Sequence, residues 1–107
     1  MGVNNASNTR YPVPIALLGR RVAIYAAGNV GKTYYDQLKF DRKHSVVLWV
    51  DRNWEELSRL GIPVKGMDNL KTTEYDTLLI AIESDKIALE IKKELMAFGV
   101  SEEKIVY

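Results

Sequence analysis

The run Val22-Ala23-Ile24-Tyr25-Ala26-Ala27-Gly28-Asn29-Val30-Gly31 leads an apolar strand into a glycine-spaced turn and on into a helix, and Asp51 closes a second apolar run 20 residues after Gly31. An unbroken apolar run suits a strand covered on both faces, and such a strand followed at once by a helix is the first half of a parallel βαβ crossover. The turn constrains more than the fold. It presents free backbone N–H groups and the positive end of a helix dipole, which is the chemistry that holds a phosphate. Strand, turn, helix and the acidic residue beyond them outline a dinucleotide-binding unit.

The 107 residues suffice for one core but not for a nucleotide-binding domain together with a separate substrate domain. Fifteen basic residues nearly cancel fourteen acidic ones, and no basic stripe interleaved with aromatics appears, which sets nucleic acid aside as a partner. There is no cysteine and a single histidine, His44, so a disulfide frame and a thiolate or multi-histidine metal site are excluded. The opening residues lack the basic start and apolar run of a signal peptide, and no stretch is long enough to span a bilayer, so the expected location is cytoplasmic with no membrane span. Gly2 suggests myristoylation, but that pattern requires Ser or Thr where Ala6 stands.

Residues 1–10 are polar and aperiodic, as expected of a flexible leader or linker. Residues 11–20 form an arm in which Pro12 and Pro14 bar a long helix, while Val13, Ile15, Leu17 and Leu18 need apolar cover. Residues 21–107 carry the α/β alternation. Apolar runs at 22–26, 46–50, 77–82 and 105–107 predict parallel strands, with a short edge strand at 62–64, where Pro63 is tolerated. Val30, Tyr34 and Leu38 mark the buried stripe of the first helix. The second is short: Asn53 with Glu56 resembles a capping box, Leu57 and Leu60 face inward, and Gly61 ends it. In the last helix Ile87, Ile91, Leu95 and Phe98 share a face, Ser84 or Asp85 caps the start and Gly99 the end. Right-handed crossovers then give an α/β fold of three layers, αβα, around a five-stranded parallel sheet in the order 3-2-1-4-5.

Two patterns share the glycine turn. Against G-x-G-x-x-G, Ala26 replaces the first glycine while Gly28 and Gly31 keep the second and third places, Gly28 for close approach of backbone to a pyrophosphate and Gly31 for helix packing. Both glycines also suit packing alone. The same stretch reads Ala26-x-x-x-x-Gly31-Lys32-Thr33, a relaxed phosphate loop with Asp51 as a magnesium-binding aspartate, although Lys32 also suits a solvated first helical turn. Asp51 at the end of the second strand can accept from both ribose hydroxyls, which favours NAD(H) over NADP(H), or it can serve as a turn residue. Arg52 pulls the other way, because a guanidinium suits a 2′-phosphate. Arg52 or Trp54 could flank an adenine, and Trp54 equally packs over the second helix. Glu83, Ser84 and Asp85 follow the strand at 77–82, at the mouth of the crevice, where they could meet a ribose or act as caps. Tyr35-x-x-x-Lys39 has a dehydrogenase spacing but lies in the first helix, away from the strand C-termini. No acid–base or nucleophile set is present.

The run 21–35, Trp49-Val50-Asp51, and the closing Gly99-Val100-Ser101-Glu102-Glu103-Lys104-Ile105 resemble a family of small Rossmann modules in bacterial surface-polysaccharide enzymes, whose usual turn reads Tyr-Gly-Ala-Gly-x-Val-Gly. The resemblance covers about residues 11–107, and Ala26 departs from the first glycine. Such modules are similar to the nucleotide-binding parts attached to glycosyltransferases and to the N-terminal domains of sugar acyltransferases and nucleotide-sugar dehydratases. The resemblance implies a Rossmann-like domain that binds NAD(H) or a nucleotide sugar beside the catalytic domain of a parent polypeptide. Its implied binding residues are Gly28, Asn29, Val30, Gly31 and Asp51. With Ala27, Arg52, Glu83 and Ser84 from the motif reading, these complete the candidate site.

Overall fold

The computed structural model describes residues 12–107; the expected leader over 1–10, and Tyr11 of the arm, lie outside them. Four strands form, β1 (Arg21–Tyr25), β2 (Ser45–Val50), β3 (Thr77–Ile80) and β4 (Ile105–Val106), with three helices, α1 (Asn29–Lys39), α2 (Trp54–Arg59) and α3 (Asp85–Phe98). All pairings are parallel, and the sheet order is β2-β1-β3-β4.

The fifth strand expected at 62–64 does not form. Val64 N–H turns back onto the Ile62 carbonyl at 2.8 Å, and Pro63 has no N–H to offer a neighbour. The chain therefore meets β2 only at Lys65, whose N–H donates to the Trp49 carbonyl at 2.8 Å and whose carbonyl accepts from Asp51 N–H at 3.3 Å, a single parallel bridge. The sheet is four-stranded and loses that edge.

Successive β1 side chains feed opposite sides, as the pleat requires. Ala23 and Tyr25 join Leu48, Val50, Leu78 and Ile80 in a cluster closed by Ala88, Ile91 and Leu95 of α3. Val22 and Ile24 join Trp49, Leu79 and Val106 in a second, closed by Tyr34 and Leu38 of α1 together with Val13 and Leu18 of the arm. The start of the arm is held by two bonds, in which Tyr34 Oη accepts from Val13 N–H at 2.6 Å and donates to the Val13 carbonyl at 2.9 Å, and its end by Gly19 N–H donating to Thr77 Oγ1 at 2.8 Å. No helix among the described residues is long and apolar enough to cross a membrane.

Several local expectations change. The Asn53 side chain makes no capping bond; its N–H instead donates to Asp51 Oδ1 at 2.8 Å, so Asp51 shapes the entry to α2 and the capping box is absent. Leu60, expected inward, is 73% exposed, because α2 has only six residues and ends before a second inward position is reached. Gly61 and Gly99 take φ of +90° and +114°, the left-handed ends that glycine provides.

Candidate functional site

The first turn is built by packing around one residue, Ala26. Ala26 N–H continues the sheet by donating to the Val50 carbonyl at 2.8 Å, and the Ala26 carbonyl accepts from the Trp49 indole N–H at 2.8 Å. Ala26 takes φ +91°, the one positive φ outside glycine among the described residues, a region that costs an L residue roughly 1–2 kcal/mol. The departure from glycine at this position is thus a conformational cost that the surrounding bonds hold in place.

The two glycines of the turn divide the roles that the sequence leaves open. A Cβ on Gly31 would lie 2.1 Å from the Ala26 carbonyl oxygen, so Gly31 is a packing glycine. Gly28 is the residue before α1, with φ −79° and ψ −162°, extended backbone that any residue adopts, and a Cβ there would meet nothing within 4 Å. Neither strain nor crowding asks for glycine at 28. What its missing side chain does provide is open space in front of the helix start. Gly28 gives α1 no side-chain cap, and the first N–H groups of a helix have no intrahelical acceptor, so the amides of Asn29, Val30 and Gly31 begin a helix that its own chain leaves uncapped. Gly28 and Asn29 are exposed, Val30 half-buried.

The helix begins at Asn29 and Lys32 N–H already donates to the Gly28 carbonyl at 2.9 Å. The wide loop over 26–31 that the phosphate-loop pattern needs is therefore absent, and Lys32 is exposed on the first helical turn. Tyr35 stacks on Trp49 with ring centroids 4.3 Å apart and planes at 15°, while Lys39 Nζ lies 5.4 Å from the Tyr35 ring centre. That pair has a packing role.

Asp51 is engaged at both oxygens. Oδ2 accepts from Ala27 N–H at 2.8 Å and Oδ1 from Asn53 N–H at 2.8 Å. The carboxylate binds the turn to the end of β2, and since each carboxylate oxygen offers a second lone pair, it can still accept from a sugar hydroxyl. Arg52 follows with its Nε donating to Tyr25 Oη at 3.0 Å and its guanidinium paired to Glu94 of α3, both partners of that pair being more than half exposed. Ser84 accepts from Ile87 N–H at 3.3 Å and so caps α3, the second of its two expected roles. Glu83 is exposed beside it. Ala81 N–H donates to the Tyr25 carbonyl at 3.0 Å, which brings the segment leading to Glu83 and Ser84 alongside the end of β1.

A cleft of about 300 Å3 opens at this end of the sheet, lined by Tyr25, Ala26, Asp51, Arg52, Asn53, Ile82, Ile87, Glu90, Ile91 and Glu94. Ile87, expected in the core stripe of α3, is 48% exposed and forms part of this wall. The cleft has an apolar side from isoleucines and a charged rim from Asp51, Arg52 and Glu94. A larger hollow of about 710 Å3 lies at the opposite end, lined by Arg21, Tyr75, Phe98 and Lys104 among others. None of the candidate residues reaches it, and it faces the strand N-termini rather than the C-termini where parallel α/β sheets take ligands.

Sequence reasoning missed Trp49 and Tyr25 as parts of this end of the molecule. A signal existed for Trp49: an indole N–H in a fully apolar strand must find an acceptor, and the adjoining turn is the nearest source of carbonyls.

These features define a small parallel α/β domain with a glycine turn and an apolar-walled cleft at its strand C-termini. The chain belongs to the C2185-like, N-terminal family, whose model matches residues 18–106. Comparison with curated proteins and with solved structures gave no match.

Proposed function

We propose that this domain is the nucleotide-binding module of a larger bacterial polysaccharide-biosynthesis enzyme, a glycosyltransferase, and that it holds NAD(H) or a nucleotide sugar without catalysing a reaction itself. In this reading the architecture is a shortened three-layer Rossmann-like domain. The observation that carries it is Gly28, where neither conformation nor packing calls for glycine and where the space left is in front of the uncapped start of α1. A diphosphate there would accept from the amides of 28–31, aided by the helix dipole. The attached ribose would reach Asp51, and the base would lie in the cleft against Ile82, Ile87 and Ile91 with Arg52 at its edge. The position also agrees with the rule for open parallel sheets: β1 has β2 on one side and β3 on the other, with their helices packed into different clusters, and ligands sit where the connections diverge.

Calorimetric titration with NADH, UDP-glucose and coenzyme A tests it. Saturable binding of the first or second supports the reading, and absence of heat with all three at millimolar concentration refutes it. One observation favours a second reading, a scaffold whose site no longer binds: both Asp51 oxygens already hold backbone amides. That reading predicts no heat with any of the three, and a Gly28→Val chain that assembles as the unchanged one does.

A further inference from the structure

Ala26 and the peptide that follows it are held from three directions. Val50 takes the Ala26 N–H at 2.8 Å, the Trp49 indole donates to the Ala26 carbonyl at 2.8 Å, and Asp51 takes the Ala27 N–H at 2.8 Å. Only the first is a sheet bond, and it would form with any residue but proline at 26. The other two come from side chains and converge on a residue whose φ of +91° glycine adopts freely and alanine does not. Trp49 is itself immobilised, 4% exposed and stacked on Tyr35, so its N–H points at the carbonyl from a fixed base.

We infer that Trp49 and Asp51 are positioning residues for the turn: they impose on Ala26 the conformation that a glycine would adopt unaided, and so fix the direction in which the amides after it face. The inference rests on the nucleotide reading for its effect on binding, but not for its effect on the turn. Its distinctive consequence is conditional. The indole N–H matters as long as residue 26 is alanine, and matters little once residue 26 is glycine. A residue that merely fills the core would count equally in both backgrounds.

The experiment compares the full chain with A26G, W49F and the double variant, measuring affinity for NADH and UDP-glucose and the hydrogen exchange of the Ala27 and Gly28 amides. Phe keeps the ring beside Tyr35 and removes the donor, leaving a buried carbonyl unpaired. We expect W49F to weaken binding about tenfold with Ala26 in place, the scale of a buried hydrogen bond lost, and less than about threefold in the A26G background. Exchange at Ala27 should rise about tenfold in W49F and return towards the starting rate in the double variant. Equal losses in the two backgrounds, or unchanged exchange in W49F, overturn the inference. Should W49F not fold, D51N makes the exchange comparison against A26G, because Asn offers one carbonyl oxygen to the two amides that Asp51 holds, and affinity is left out of that arm because Asp51 also faces the ribose. Should neither ligand bind the unchanged chain, the nucleotide reading fails by itself, and the exchange comparison still decides whether the turn is held in this way.

Discussion

Replacing each turn glycine by alanine should separate packing from binding. In Gly31→Ala the new methyl would stand 2.1 Å from the Ala26 carbonyl oxygen and 2.9 Å from its carbon. The obstacle is backbone, pinned by the Trp49 indole at 2.8 Å, so α1 must move by about 1 Å to restore ordinary contact. Overpacking of this kind costs about 1–3 kcal/mol, and breaking the buried indole bond adds about 1–3 more. For a chain of this length 1 kcal/mol shifts the melting temperature by about 4–8 °C, so a fall of at least about 10 °C is expected. Gly28→Ala meets nothing within 4 Å at an ordinary φ of −79°, and by restricting the unfolded chain it should leave stability unchanged or raise it by about 0.4–1 kcal/mol. It should nevertheless weaken nucleotide binding by at least tenfold, because the methyl occupies the space in front of the amides. Urea unfolding and calorimetric titration of both variants make the comparison. A Gly31→Ala chain that loses less than about 1 kcal/mol, or a Gly28→Ala chain that loses stability rather than affinity, would refute the division of roles.

Ser84→Ala removes the acceptor for Ile87 N–H and should cost about 1 kcal/mol in urea unfolding, the usual value of a helix cap, with little effect on ligand affinity. Tyr34→Phe deletes both bonds to Val13 and should release the arm, read as rapid proteolysis before residue 19 while the sheet amides remain protected. The Asp76 carboxyl is held below the usual carboxylate range, first by its hydrogen bond from the Arg21 side chain and then by that from Arg21 N–H. A carboxyl lowered in the folded chain contributes stability that is fully present above its unfolded value and is lost as pH falls through the folded one. The urea midpoint should therefore decline below about pH 4, and less steeply in Asp76→Asn, whereas an unchanged slope would show that the pair does not couple to folding.

The parts of this fold that were legible in sequence are those set by neighbours along the chain. Apolar runs placed four strands, the spacing of Val30, Tyr34 and Leu38 placed the buried face of α1, and Ser84 and Gly99 bounded α3. The edge strand was misread because an apolar triplet around Pro63 looks the same whether it pairs or turns back, and the Val64 to Ile62 bond that decides this is invisible in composition. Ile87 continues the stripe of α3 in sequence, yet the first turn of that helix overhangs the cleft instead of the sheet. At the site, the glycine spacing located the turn, but which glycine packs and which leaves space depends on a distance to Ala26 that no spacing encodes. The same holds for Asp51. Its position at the end of β2 was readable, whereas its two backbone partners belong to segments on either side of the strand end.

On the proposed reading, an anionic nucleotide is held at the strand C-termini by the amides that open α1. Amide chemical shifts of the labelled chain, followed during addition of NADH and of UDP-glucose, test it most directly. Binding there should give saturable shifts at residues 28–31, with smaller ones at Asp51, Arg52 and Ile82. Shifts that cluster instead around Arg21, Tyr75 and Lys104, or none at any residue at millimolar ligand, would contradict it.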